Sequence, residues 1–251
     1  MNAIEEFAAR WRDAERVVVL TGAGLSTASG IPDFRSPGGR WERYQPVLIQ
    51  DFLASEESRR EYWQYKGETW QVISAATPNP AHLALADLAA AGRVELLVTQ
   101  NVDGLHERSA FPTDRLINIH GTDSEVVCVG CAAREPREVA QRIWESGSPV
   151  PRCACGSAWK PATISFGQSL VSDDLERAIQ AAVRCDLFVA AGTSLVVSPI
   201  NGMFDRAVRA NAATAILTAS KTPYDGVCDF RSSEPVEQVL PALARSVLAA
   251  R

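Results

Sequence analysis

Ile4, Phe7, Ala8 and Trp11 recur at i, i+3, i+4 and i+7, which puts them on one face of an N-terminal helix. Residues 16–20 break that period. A short β-branched run closed by Thr21-Gly22 reads as a buried strand. Asn79-Pro80 opens a second helix, with Asn at the N-cap and Pro at the first helical position, and Gly92 closes it. Residues 94–98, 116–119, 187–190 and 214–217 are further apolar strands, and helical patterns cover 175–183, 203–210 and 236–249. Pro241 interrupts the last of these and is expected to kink it. Strands alternating with helices predict an α/β fold with a largely parallel sheet. Two stretches break the alternation. Residues 36–78 carry much of the aromatic content and no clear strand, and residues 121–160 hold four cysteines. Both read as parts of a smaller module inserted into the large domain.

Composition narrows the class. The 251 residues are 46% hydrophobic and 22% charged, which excludes a collagen, a disordered tail and a mucin-like stalk. Thirty acidic against 25 basic residues give a net charge of −5, so no direct nucleic-acid partner is expected. The apolar stretches fall far below the ~20 residues that span a bilayer, so no membrane partner is expected either. Residues 1–15 contain Glu5, Glu6 and Asp13 and no apolar core of a secretion signal. The expected compartment is the cytoplasm, where thiols stay reduced and paired cysteines read first as metal ligands. The oligomeric state is open, with a monomer favoured.

The candidate chemistry clusters at strand ends. The first strand runs into Gly22-Ala23-Gly24-Leu25-Ser26, a glycine turn that can bring backbone N–H groups close to a pyrophosphate, with a following helix N-terminus adding positive dipole. The third glycine of the dinucleotide fingerprint is missing, and a bare tight turn fits the same letters. Ile31-Pro32-Asp33-Phe34-Arg35 follows, either a ligand shell or a surface turn. Thr99-Gln100-Asn101-Val102-Asp103 ends the 94–98 strand, where open α/β sheets bind ligands, although Asp103 also suits a helix cap. His120 closes the 116–119 strand and suits a general base. His82 and His106 lie in helical patterns and read as structural. Cys128-x-x-Cys131 and Cys153-x-Cys155 suit a closed, structural tetrahedral Zn²⁺ site, though the second pair is tighter than the commoner spacing. Cys185 and Cys228 read as core or bystander residues.

Taken in order, the glycine turn, the 31–35 and 99–103 motifs, His120-Gly121, the cysteine pairs, Phe166-Gly167 and Gly192-Thr193-Ser194 resemble the sirtuin family of NAD-dependent protein deacylases. The resemblance spans about residues 17–240. It implies a Rossmann-like NAD-binding domain (1–35, 79–120 and 166–251) and a small helical and zinc-binding domain (36–78 and 121–165). NAD and an acyl-lysine protein or peptide would meet in the cleft between them. It further implies attack of the acyl oxygen on C1′ of the nicotinamide ribose, departure of nicotinamide and release of O-acyl-ADP-ribose.

In that picture His120 is the base on a ribose hydroxyl. Asn101 and Asp103 hold ribose, nicotinamide and a water, and Gln100 contacts the ribose. Phe34 shields the cationic sugar. Gly22, Ala23, Gly24 and Arg35 line the phosphates, and Thr193 and Ser194 contact the phosphate and ribose region. Ser26, Asp33, Gly192, Thr218 and Ser220 complete the cofactor set. Ile164, Phe166 and Gly167 resemble the segment that pairs with substrate backbone. Tyr62 and Tyr65 are assigned to the acyl pocket. Two departures stand out: Thr218-Ala219-Ser220 replaces the family's usual Asn and acidic residue near the adenosine ribose, and Gln168 stands in place of Glu. No Tyr-x-x-Arg pair is present, so a neutral acyl group, acetyl or longer, is expected. A mono-ADP-ribosyltransferase or NAD hydrolase is the alternative on the same fold.

Overall fold

The protein is described from a computed structural model covering residues 3–34, 38–39 and 42–249. Along the chain run α1 (Ala3–Asp13), β1 (Val17–Thr21), α2 (Ile49–Ala54), α3 (Glu56–Ala75), α4 (Pro80–Ala90) and β2 (Leu96–Thr99). Then come α5 (Leu105–Arg108), β3 (Leu116–Asn118), β4 (Gly121–Cys128), β5 (Arg134–Pro136), α6 (Arg137–Glu145) and β6 (Trp159–Thr163). The chain closes with α7 (Ser172–Arg184), β7 (Leu187–Ala191), α8 (Gly202–Arg209), β8 (Ala213–Leu217), β9 (Phe230–Ser232) and α9 (Val236–Ala249).

The larger sheet is parallel and ordered β3-β2-β1-β7-β8-β9. Counted within the sheet this is the Rossmann order 3-2-1-4-5-6, and the winding reverses between β1 and β7. Every residue of β1 and β7 is buried, as expected for central strands covered on both faces. Alternation sends Val17, Val19 and Val189 to a core shared with α1, α4 and α9. Val18, Leu20 and Phe188 face the other way, toward α7 and α8. Each such side chain contributes about 1.5–3 kcal/mol by burial.

Local signals hold the flanks. Asn79 Oδ1 accepts from the Ala81 N–H at 2.9 Å and from the His82 N–H at 3.4 Å. The far end of α4 closes in a Schellman motif, with Gly92 at φ 73° and the Arg93 N–H donating to Leu88 O at 2.8 Å. Pro241 lies inside α9, which continues to Ala249. The strand edges fall within two residues of expectation. β9 was not expected; its place is fixed by Phe230 stacking on Phe7 of α1, with centroids 4.7 Å apart.

The second sheet is antiparallel, ordered β5-β4-β6. It shares a core with α2, α3 and α6 through Phe52, Trp63, Val126, Ala140 and Trp159. Thus residues 49–75 form two helices separated by extended Ser55, and they pack on the cysteine-bearing sheet. Trp63 Nε1 donates to Trp159 O at 2.9 Å. Buried Asp123 on β4 accepts from Lys66 of α3 at 2.8 Å and from Arg137 of α6 at 3.4 Å. The Arg137 guanidinium also lies over the rings of Trp63 and Trp70, at 4.7 and 5.0 Å.

Candidate active site

A cavity of about 400 Å³ opens at the carboxyl ends of β1, β2, β3, β7 and β8, bounded on its other side by α3 and the segment after β6. It gathers, from distant parts of the sequence, all but one of the residues expected to bind NAD and substrate. Gly22, Ala23, Gly24, Ser26, Asp33 and Phe34 line it from the loop after β1. Gln100, Asn101, Asp103 and His120 line it from β2 and β3. Gly192, Thr193, Ser194, Thr218 and Ser220 come from β7 and β8, and Tyr62, Tyr65, Ile164, Phe166 and Gly167 from the opposite side. Arg35 lies outside the described residues.

The glycine turn works differently from the expectation. The Gly22 N–H donates to Ala191 O at 3.1 Å and the Gly24 N–H to Gly192 O at 2.8 Å. Those two donors therefore hold the β1 loop against the β7 loop and are not aimed at a ligand. A Cβ on Gly22 or Gly24 would stand 2.9 Å from Gly192 O. No α-helix follows the turn either. Two short 3-10 turns, Ala23–Leu25 and Thr27–Ser29, take its place. The donors left over are the N–H groups of Ala23, Thr193 and Ser194, none of which is bonded to another described residue. Three unpaired N–H groups at the switch point of a Rossmann sheet fit a diphosphate.

The β2 end is a connected polar network. Asn101 Nδ2 donates to Gly22 O and to Ser26 Oγ, both at 3.1 Å, and Ser26 Oγ donates to Asp103 Oδ2 at 2.7 Å. Gly104 is the N-cap of α5, and Asp103 Oδ1, one residue before it, accepts from the first helical N–H, that of Leu105, at 3.0 Å. Gln100 Nε2 donates to Thr193 Oγ1 at 2.9 Å, tying β2 to β7.

His120 Nδ1 lies 3.1 Å from Gln100 O. A carbonyl only accepts, so Nδ1 carries the proton and Nε2 is the basic nitrogen. Burial lowers the imidazole pKa below 6.5, and the Gln100 bond only partly opposes this. The ring is therefore neutral and able to take a proton at pH 7. His82 and His106 are buried away from the cavity. His82 Nδ1 accepts from the Asn79 N–H at 3.4 Å, and His106 Nε2 lies 3.0 Å from Thr21 Oγ1. Burial drops the His82 pKa to about 4 and lowers that of His106 as well.

Tyr62 is buried with its hydroxyl 3.3 Å from Thr163 Oγ1. Two cations stand close by, and both are occupied. Burial is the largest single influence on Lys66 and would discharge it, but the Asp123 carboxylate, its hydrogen bond and the neighbouring Tyr62 and Tyr65 together raise its pKa. Lys160 Nζ donates to the carbonyls of Thr163 and Pro161. The Lys66–Asp123 pair escapes sequence reading because its members lie on separate elements with no shared motif. The segment after β6 is anchored by the Ile164 N–H on His120 O at 2.8 Å and the Ile49 N–H on Phe166 O at 3.0 Å. The Ile164 carbonyl and the Gly167 N–H are not bonded to another described residue, as an edge open to strand addition requires.

The four cysteine sulfurs lie within 4.8 Å of one another. Cys128 and Cys155 are 3.4 Å apart, and Cys131 and Cys153 are 3.7 Å apart. A tetrahedron with Zn–S bonds of about 2.3 Å has edges near ~3.8 Å, so the quartet fits Zn²⁺ despite the short second pair. The N–H groups of Gly130 and Cys131 approach Cys128 Sγ at 3.4 and 3.5 Å. Within the quartet the thiols share protons: the Ser157 backbone N–H leads in lowering Cys155 to about 6, while Cys131, against a backbone bond from Ala133, is pushed up to about 12 by hydrogen bonds to the other three cysteines. Cys185 is buried in the core against α7, and Cys228 packs at the edge of the same cluster.

The family model described as Sir2 family matches residues 22–199, and the chain belongs to that family. It is 39% identical over 230 residues to an NAD-dependent protein deacetylase of Rhodopseudomonas palustris, covering 91% of each chain. It is 40% identical over 237 residues to NAD-dependent protein deacetylase 2 of Streptomyces coelicolor, covering 92% of this chain and 97% of that one. A solved Sir2–p53 peptide–NAD+ complex superposes with a TM-score of 0.87 at 32% identity, covering 98% and 97% of the two chains.

Proposed function

We propose that the cavity performs NAD-dependent deacylation of lysine side chains in proteins or peptides, with His120 as the base. The observation that carries the reading is the His120 imidazole. It lines the cavity, is held neutral by burial, and is fixed by Gln100 in the tautomer that leaves Nε2 free to take a proton. When bound, the dinucleotide supplies the electrophilic C1′ of the nicotinamide ribose and the ADP-ribose that accepts the acyl group. His120 withdraws the ribose hydroxyl proton. Asn101, Asp103 and Ser26 fix the wall that receives nicotinamide, since their mutual hydrogen bonds leave no freedom to swing. Gln100 orients the ribose from its bond to Thr193. Ala23, Thr193 and Ser194 hold the diphosphate, with Gly22, Gly24 and Gly192 setting the spacing of their loops. Asp33 and Phe34 close the cavity over the reacting sugar and exclude water.

Ile164, Phe166 and Gly167 take the substrate backbone as an added strand, which gives weak sequence selectivity. Tyr62 and Tyr65 border the acyl group. Lys66 and Lys160 are already bonded to Asp123 and to carbonyls, so neither of these two described cations beside Tyr62 is left to bind an acyl carboxylate. The preferred acyl group is neutral, acetyl or longer. Zn²⁺ held by Cys128, Cys131, Cys153 and Cys155 would be structural. We assign residues 1–35, 79–120 and 166–251 to an NAD-binding domain and 36–78 and 121–165 to a small domain, a division supported by the presence of two separate sheets. No helix among the described residues is long and apolar enough to cross a membrane. Six unbridged cysteines among the described residues suit the reducing cytoplasm, and the protein acts there as a monomer. Incubation with NAD+ and a panel of acetyl-, butyryl- and succinyl-lysine peptides tests the reading. Deacetylation or debutyrylation should exceed desuccinylation, and the reverse order contradicts the acyl assignment.

A further inference from the structure

One stretch of cavity wall joins the edge open to strand addition to the His120 base. The Ile164 N–H donates to His120 O, and Gly121 pairs with Thr163 across β4 and β6. Thr163 Oγ1 lies 3.3 Å from the Tyr62 hydroxyl. Tyr62, Tyr65 and Lys66 of α3 and Thr163 of β6 line the cavity together with Ile164 and His120. A lysine side chain that enters beside Ile164 and reaches toward His120 therefore brings its acyl group against this wall. Lys66 Nζ stands 5.9 Å from the ring centroids of both tyrosines, and only 10% of its side chain is exposed. A buried ammonium needs a hydrogen-bonded counter-ion. An acyl group that ends in a carboxylate would supply one from the cavity side. The chain supplies its own from the other side. Asp123 does not line the cavity, and it accepts from Lys66 Nζ at 2.8 Å. Arg137 fixes this pair, with Nε donating to the other Asp123 oxygen at 3.4 Å and Nη2 donating to Lys66 O at 3.1 Å. To serve a second carboxylate, Lys66 would have to share or leave the first, and a buried charge would lose its partner. A neutral acyl group asks nothing of it.

We propose that Asp123 sets the acyl specificity of this cavity, by keeping the Lys66 ammonium engaged behind the cavity wall and so excluding acyl groups that end in a carboxylate. Asp123 is a positioning residue: it acts through Lys66 and does not touch the substrate. Specificity arises from the cost imposed on the wrong acyl group. The inference rests on the deacylase reading of the cavity for its turnover arm only.

One peptide sequence, carrying either acetyl-lysine or succinyl-lysine, is titrated calorimetrically and assayed with NAD+. The quantity read is the succinyl-to-acetyl ratio, of association constants and of kcat/KM, which does not depend on the fraction of folded enzyme. The wild type should favour acetyl. Asp123→Asn keeps the shape and removes the charge. It should raise both ratios by roughly tenfold or more, the scale of one hydrogen bond to a charged group, because the acyl carboxylate becomes the partner of Lys66. Adding Lys66→Met to Asp123→Asn should return the ratios to within about threefold of the wild type. A smaller rise, a rise that survives Lys66→Met, or a wild type that favours succinyl overturns the proposal. If Asp123→Asn fails to fold, Lys66→Met alone decides. It strips Asp123 of its lysine and should lower the ratio about threefold or more, and a ratio that does not fall overturns the proposal. If neither peptide is turned over but the binding ratios move as stated, the deacylase reading fails and the specificity inference stands. If acetyl-lysine is turned over and the ratios do not move, the deacylase reading stands and the specificity inference fails.

Discussion

Replacing Gly192 by Ala tests the claim that the nucleotide cavity depends on a close seam between the β1 and β7 loops. Gly192 sits at φ 62°, and a Cβ there would lie 2.2 Å from Leu25 N, 2.7 Å from Gly24 C and 2.9 Å from Leu25 Cα. All three neighbours are backbone, so no side chain can rotate away. A left-handed L-residue costs roughly 1–2 kcal/mol. Forcing atoms into a packed seam costs about 1–3 kcal/mol more. In a protein of this size each kcal/mol lowers Tm by roughly 2–4 °C, so a loss on the order of 10 °C is expected. Gly30→Ala is the matched control. Gly30 is also left-handed, at φ 83°, but nothing lies within 4 Å of its Cβ position. It should cost only the conformational part, on the order of 4 °C. Calorimetric melting of both variants, with ADP-ribose titration of each, separates strain from crowding. If Gly192→Ala melts no lower than Gly30→Ala, the seam is not as close as described and the reasoning fails.

Three further outcomes are expected. His120→Ala should lower kcat by about 10²–10⁴-fold; because burial lowers the His120 pKa, the wild-type kcat/KM profile should hold down to pH 6.5 and fall only below it, and an acid limb centred above 6.5 would contradict the assigned base. His82 stays neutral in the folded state down to about pH 4 while its unfolded counterpart protonates near 6.5. The unfolded state thus binds more protons between those values, and urea melts should show stability full above pH 6.5 and falling by ~3 kcal/mol toward pH 4; an unchanged melt from pH 7 to 4.5 would sink that. Chelation of zinc should unfold the β4–β6 module and abolish activity, with both restored by added Zn²⁺; a metal-free protein of unchanged circular dichroism and activity would refute the structural role.

Local chemistry made much of this legible. β1, β2 and β7 announce themselves as apolar runs because central parallel strands are buried on both faces. Asn79, Pro80 and Gly92 specify the ends of α4 by capping alone. His120 stands out because a strand end places it in the ligand crevice. What escaped depends on contacts between distant segments. β9 is a half-buried edge strand held by Phe7. The glycines of the β1 loop were read against a pyrophosphate, but their close neighbour is the β7 loop, which no local pattern reveals. The Lys66–Asp123 pair, 2.8 Å across, joins α3 to β4, a contact no local pattern reveals.

The central claim is tested most directly by following one acetyl-lysine peptide with NAD+ by mass spectrometry. The account predicts deacetylated peptide, nicotinamide and O-acetyl-ADP-ribose in equal amounts, none of them formed without NAD+. Free ADP-ribose or ADP-ribosylated peptide, with the acetyl group still in place, would contradict it.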